Sequence, residues 1–286
     1  MAHTQQERYS NLVLAKLRKE LVTRDNLIFN SSYEGDPKAG KVKIPVRGEV
    51  TVKDYDKANG LKGETGSTTY KDLLIDKDKV VNEIIDGYDA QAVPDGIVAD
   101  RLDSAGYGLS LQVDKDSINA LEKKGTVLDT KTALTKSNAY STILDMFAKM
   151  TRAGVPTKGR WLIVSPETKA LILKDPEFIK QGDISQKLVE QGVFGMIGGF
   201  ACFESANMMF ENTEEVGSKK TTTELIAGHP LFASRVMEFS VPVHLQDLAG
   251  SGNFIGASAV QGRLVYGVDV TKPEAVLVKR KEENVG

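Results

Sequence analysis

The stretch KVKIPVRGEVTV, Lys41 to Val52, limits the fold more than any other part of the chain. Val42, Ile44, Val46, Val50 and Val52 all fall on even positions, so they share one face of an extended backbone, and Gly48 keeps that register. The alternation predicts one long strand in place of a hairpin turning at Gly48. The following DKANGLKGETGS is dense in turn residues, and TTYKDLLIDKDKVVNEII returns as a second extended segment. Together they predict a two-stranded arm across residues 30–90. An isolated ribbon is marginal in water and its edges carry unpaired backbone groups, so it needs a surface to lie on. The Lys-rich tip, poor in large apolar residues, fits a projecting element better than one packed on its own domain. Lys57, Asn59, Leu61, Lys62 and Glu64 are therefore candidate contacts to a second chain.

The rest of the chain reads as an α+β protein without internal repeats. Thr4 and Glu7 have capping-box spacing, and Tyr9, Leu12, Val13, Leu17 and Leu21 recur at helical intervals, predicting a helix that ends near Arg24. Pro94 opens, and Lys123, Lys124 and Gly125 close, a stretch with Val98, Leu102, Ala105, Leu109 and Val113 on one face. Gly106 and Gly108 oppose a helix there; if it is continuous, ~30 residues at ~1.5 Å each span roughly 45 Å. A third helix runs from Ser137 to a stop at Gly154 and Pro156. Trp161 to Val164 reads as a strand, Pro166 to Lys174 as a helix and Gln186 to Gln191 as a short helix. GGFACFES, TTTELIAG, RLVYGVDV and EAVLVKRK read as strands, and HPLFASRVMEF as a helix or turn.

Catalytic and binding motifs are tested and mostly rejected. Ser165 follows the apolar run Trp161 to Val164 and precedes a helical pattern, the order of a nucleophile elbow. The residue after it is Pro166, which has no N–H for an oxyanion hole, and Ile163 and Glu167 replace the flanking glycines. Ser165 is read instead as a helix cap with Pro166 at the first helical position. GDPKAGKV, Gly35 to Val42, matches a phosphate-binding loop until Val42 takes the hydroxyl position, and a strand with Pro45 follows where a helix is required. FGMIGGF and GSGNFIG read as turns. His3, His229 and His244 lack metal-ligand spacing. Asp76 and Asp78 lack the glycine and the last glutamate of a calcium loop, so their charges are read as solvating a strand. Cys202 is the one cysteine, which excludes an intrachain disulfide and predicts a small buried residue in a reducing compartment. No catalytic, metal or cofactor site emerges. A formal charge of -2 shows no bias toward nucleic acid, and no apolar run reaches the ~20 residues that span a bilayer. The polar start MAHTQQER has no signal-peptide character, so the expectation is a soluble intracellular product without membrane contact.

GVPTKGRWLIVSPETKALILKDPEFI followed by GVFGMIGGFACFESANM, with HPLFASRVMEF later, resembles the major capsid (coat) protein of tailed bacteriophages, the Hong Kong phage capsid fold. The resemblance covers most of the chain through loose patterns. It implies an amino-terminal arm helix at 1–29, an extended hairpin loop at 30–90 that lies over a neighbouring subunit, and a peripheral domain with a spine helix at 91–135. It further implies an axial domain at 136–264 and carboxy-terminal strands at 265–286 that return to the peripheral domain. Rings of five and six subunits would close into an icosahedral head holding double-stranded DNA without sequence-specific grip. A separate scaffolding protein and a portal are expected partners, because the first segment is too short for a fused scaffold. The virion capsid, assembled in the host cytoplasm, is the expected location. Lys57 and Lys62 lie where some relatives crosslink, but no acceptor asparagine or catalytic carboxylate is identified, so no crosslink is predicted from them. An encapsulin-like compartment, a soluble hydrolase using carboxylates near the glycine-rich loops, and a tail-tube protein remain as alternatives.

Overall fold

A computed structural model describes residues 18–23, 27–31, 40–63, 65–87, 97–128, 132–174, 193–208, 219–249 and 255–284. Among the described residues eleven strands and three α-helices build a ribbon, two sheets and the helices that cover them. The ribbon pairs β1 (Lys41–Arg47) with β2 (Thr68–Leu74), antiparallel from Lys41↔Leu74 to Arg47↔Thr68. A three-stranded antiparallel sheet runs β3-β10-β9, from β3 (Lys77–Ile85), β10 (Ser258–Val270) and β9 (Ala233–Asp247). A mixed six-stranded sheet runs β4-β11-β8-β5-β7-β6. Its strands are β4 (Thr126–Val127), β5 (Trp161–Val164), β6 (Val193–Ile197), β7 (Phe200–Glu204), β8 (Lys219–Gly228) and β11 (Leu277–Asn284).

The long helix α1 (Ile97–Lys124) joins the two sheets. At ~1.5 Å per residue its 28 residues span about 42 Å. Ala105 of its first half packs with Val98 and Leu102 against Ile85 and Val260 of the three-stranded sheet. Val113, Ile118 and Leu121 of its second half pack with Trp161, Ile163, Phe203, Ile226, Val276 and Val278 of the six-stranded sheet. The helix passes through Gly106 and Gly108, where an added Cβ would meet nothing within 4 Å. Packing on the other side therefore outweighs a propensity cost of about 1 kcal/mol per glycine. The stop is at Gly125, where a Cβ would come 2.7 Å from Val278 and 2.8 Å from the carbonyl of Leu121.

β5 lies at the centre of the second sheet, with all four of its side chains buried. Trp161 and Ile163 face α1, while Leu162 and Val164 face α2 (Ala139–Arg152) and α3 (Pro166–Leu173). Arg160 just before β5 is buried, and its guanidinium donates to the carbonyls of Phe147 (3.0 Å), Val155 (2.6 Å) and Pro156 (2.8 Å). It thus closes the end of α2 and lies 4.4 Å over the Phe147 ring. Burial holds this guanidinium below its ordinary value.

Several expectations are corrected. β1 ends at Arg47 and does not reach Val52: the N–H of Gly48 donates to the carbonyl of Ser67 at 2.9 Å, and the ladder stops there because turn-rich sequence offers no further partner. The arm expected over 30–90 divides, since β3 leaves the ribbon and pairs with β10. Residues 1–17 and 186–191 lie outside the described residues, but 18–23, expected to be helical, are not. The N–H and C=O of Lys19 bond the Tyr107 hydroxyl (2.7 and 3.1 Å) and the N–H of Thr23 bonds Asp114 (2.8 Å), so these backbone groups are committed to α1. HPLFASRVMEF holds a 3-10 turn, Pro230–Phe232, and then enters β9, where Ala233 and Val236 are buried. The boundary at 264/265 cuts β10, and the last strand returns to the six-stranded sheet beside β8 instead of the sheet under the first half of α1.

Trp161 is the chain's one tryptophan, so its fluorescence reports directly on this core. A Cβ at Gly228 would stand 2.4 Å from its ring. Gly228→Ala is expected to lower stability by about 1–3 kcal/mol in urea unfolding followed by that fluorescence; an unchanged midpoint would mean the ring is not held against β8.

Candidate assembly surface

The ribbon is buried at its root and bare at its tip. Val42 and Ile44 of β1 and Leu73 of β2 form a small core with Val236 of β9. Gly267 of β10 permits this close approach, because a Cβ there would lie 2.2 Å from the carbonyl of Leu74. Ile75 N–H bonds the carbonyl of Gly40 at 3.0 Å and closes the base.

Beyond Gly48 the chain has no ladder partner among the described residues up to the turn at 57–59. Val50 is 91% exposed, Val52 92%, Tyr55 71% and Leu61 54%. Asp56 organises the bend between them: its carboxylate accepts from the Ala58 N–H (2.9 Å) and the Asn59 amide (2.7 Å), and its carbonyl accepts from Gly60 N–H (2.9 Å). Gly60 takes φ +65, which a side chain would disfavour. The bonds from Ala58 and then Asn59 hold the Asp56 carboxyl below its ordinary value.

Among the predicted contacts, Lys57, Asn59, Leu61 and Lys62 are brought together on this exposed tip, and Glu64 lies outside the described residues. Val50, Val52 and Tyr55 were missed, although Val50 and Val52 continue the parity of the buried Val42 and Ile44. That continuation marks an apolar face that nothing among the described residues covers.

The face of the three-stranded sheet turned away from α1 is a second exposed surface, where apolar side chains stand between the polar pairs Arg263–Asp78 and Gln261–Asn82. Val80, Ile84 and Phe239 are exposed on it. Arg263 holds Asp78 through two bonds of 2.9 and 2.5 Å and lies 5.8 Å over the Phe239 ring; this pairing keeps the Asp78 carboxyl below its ordinary value.

Residues tested for chemistry hold structural positions. Ser165 is buried, caps α3 by accepting from Thr168 N–H at 3.2 Å, and pairs with the Thr168 hydroxyl at 2.9 Å. His229 is buried, with Nδ1 accepting from Leu231 N–H (3.2 Å) and Nε2 donating to the carbonyl of Lys158 (2.9 Å). His244 is exposed and bonds the Pro242 carbonyl. Cys202 is buried, and burial pushes its thiol up to about 12. Gly198 and Gly199 form a two-residue hairpin turn between β6 and β7 with φ +54 and +90. Among the described residues no group of His, Cys, Asp and Glu is placed to hold a metal, and no helix is long and apolar enough to cross a membrane.

Comparisons place this arrangement among known proteins. A family described as phage capsid protein matches residues 83–278. Structures similar to the chain include "Mycobacterium phage Che8", with TM-score 0.74, 25% identity and 96% of both chains covered. "Capsid structure of the Cyanophage P-SCSP1u" has TM-score 0.72 and 13% identity, covering 98% of this chain and 93% of that one. "Asymmetric unit of bacteriophage PhiM1 mature capsid" has TM-score 0.70 and 16% identity, covering 97% and 92%. No curated protein matches the sequence significantly.

Root and tip should separate stability from association. Val52→Asp is expected to shift urea unfolding of the isolated chain by no more than about 0.5 kcal/mol, whereas Leu73→Ala costs about 2–5 kcal/mol. In sedimentation Val52→Asp, but not wild type, should stay dispersed; equal association of the two would remove Val52 from the contact surface.

Proposed function

Because the chain belongs to the phage capsid protein family and is a structural major capsid protein, we propose that its ribbon is the element that binds each subunit to the next. The exposed tip carries this reading: among the described residues nothing covers Val50, Val52, Tyr55 and Leu61, and a neighbouring copy supplies the cover. The exposed sheet face with Val80, Ile84 and Phe239 offers such a neighbour apolar contacts between polar pairs.

In this reading 30–74 is the extended loop, and α1 with the three-stranded sheet is the peripheral domain. The six-stranded sheet with α2 and α3 is the axial domain, which meets its copies in rings of five and six. A contact between two different patches of the same chain is heterologous, so it propagates around rings and closes them. The icosahedral head expected of this fold then follows from rings tied by overlapping ribbons. Double-stranded DNA is enclosed without sequence reading, in keeping with a formal charge of -2. A separate scaffolding protein, a portal and assembly in the host cytoplasm complete the proposal.

Purified protein is expected to form closed shells or rings in sedimentation and electron microscopy, with nucleic acid in shells recovered from infected cells. Shells with an enzyme cargo and no DNA would favour a compartment instead. Deleting residues 56–67 should abolish shells while leaving the Trp161 fluorescence of the folded chain; normal, equally stable shells would refute the bridging role of the ribbon.

A further inference from the structure

The apolar root of the ribbon does not by itself set the ribbon's direction, because hydrophobic contact is non-directional. Two residues, Ile75 and Asp76, separate β2 from β3, so the ribbon meets the body at a short connection. Directional contacts are supplied by Lys71 on β2. Its ammonium donates to the carbonyls of Val270 and Thr271 (3.2 Å for the latter) and lies 3.6 Å from the carboxylate of Asp269. Asp269 is itself buried and fixed: its Oδ1 accepts from Lys124 at the end of α1 (2.7 Å) and from Val270 N–H (2.8 Å). One carboxylate therefore ties the ribbon to the last turn of the long helix, at the point where β10 ends and the chain crosses to the six-stranded sheet. Among the described residues the other ribbon ion pair, Lys41–Asp72 at 2.9 Å, lies within the ribbon and fixes nothing outside it.

We propose that Lys71, held by Asp269, is a positioning residue that sets the angle between ribbon and long helix, and through that angle the curvature of the shell. Charge-assisted bonds of this kind are short and geometrically demanding, which suits them to fix an orientation. The effect on curvature rests on the shell reading above; the effect on the angle does not.

The test uses the full chain with Arg47→Cys at the outer end of the ribbon ladder and Ala99→Cys on α1, both spin-labelled. Cys202 stays unlabelled, being fully buried with its thiol pushed up to about 12. Lys71→Met keeps the aliphatic stem and removes the charge. The distance distribution between the labels is expected to be narrow in the parent and to broaden about twofold in Lys71→Met, with Lys71→Arg restoring it. Shells from Lys71→Met should scatter in diameter while Trp161 fluorescence and the urea midpoint hold. An unchanged distance distribution in Lys71→Met would overturn the proposal, as would a broadened one that Lys71→Arg leaves broad. A broadened distribution with shells of uniform diameter would overturn its extension to curvature. If the parent chain forms no shells, the shell reading fails, and the distance measurement still decides the angle.

Discussion

A helix of 28 residues must be covered along its length, and here two different sheets do it. The first half of α1 lies on the three-stranded sheet and the second half on the six-stranded one. A single core then contains Val113, Ile118 and Leu121 of the helix, Tyr266, Val268 and Val270 of β10, and Trp161, Ile163 and Ile226 of the second sheet. Each such side chain contributes about 1.5–3 kcal/mol on burial, so sliding one sheet along the helix would expose several at once. The helix is thus the reason that two sheets of different topology behave as one body. Polar contacts lock the same register: Tyr266 donates to Asp116 at 2.7 Å, and Asp114 accepts from Thr23 and from Asn207.

The ribbon obeys the opposite logic. Its root continues the apolar packing through Leu73 and Val236, but nothing in the described chain covers Val50 and Val52. A chain that can build a fully buried strand at β5 has not exhausted its means of hiding valines. On the proposed ribbon contact their exposure is burial deferred to assembly. A structural role of this kind needs no activated group. Ser165 and His229 accordingly spend their polar atoms on a helix cap and a turn.

How much of this was legible follows the range of the forces involved. The cap at Ser165, the buried β5, the glycine stop of α1 and the hairpin at Gly198 are local, and their residues announce them. The ribbon's existence was legible from parity, yet parity could not end it: β1 stops at Arg47 because the partner strand stops, a fact about residues 68–74. Residues 18–23 misled for a similar reason, since their helical spacing competes with Tyr107 and Asp114, some 90 positions away in sequence. β9 did carry a signal, since Met237, Phe239, Val241, Val243 and Leu245 alternate with Glu238, Ser240, Pro242 and His244, but the helix or turn read over HPLFASRVMEF took the start of that run away from it. Lys71 carried no signal, because its partners come from β10 and α1.

The tip also shows how an incomplete subunit avoids sticking at random. A flat apolar edge is an aggregation hazard, and natural sequences interrupt such edges with charges and glycine. Here Lys53, Asp54, Asp56 and Lys57 follow Val52 at once, and the bonds to Asp56 bend the chain before a longer apolar run can form. On the proposed contact only Val50, Val52, Tyr55 and Leu61 supply apolar surface, so each ribbon alone would bind weakly. In the proposed shell every subunit gives one ribbon and receives another, and contacts made within an existing ring are then intramolecular, with an effective concentration far above that of free subunits. Weak individual contacts then discriminate between a correctly curved neighbour, which engages several at once, and a stray encounter, which engages one.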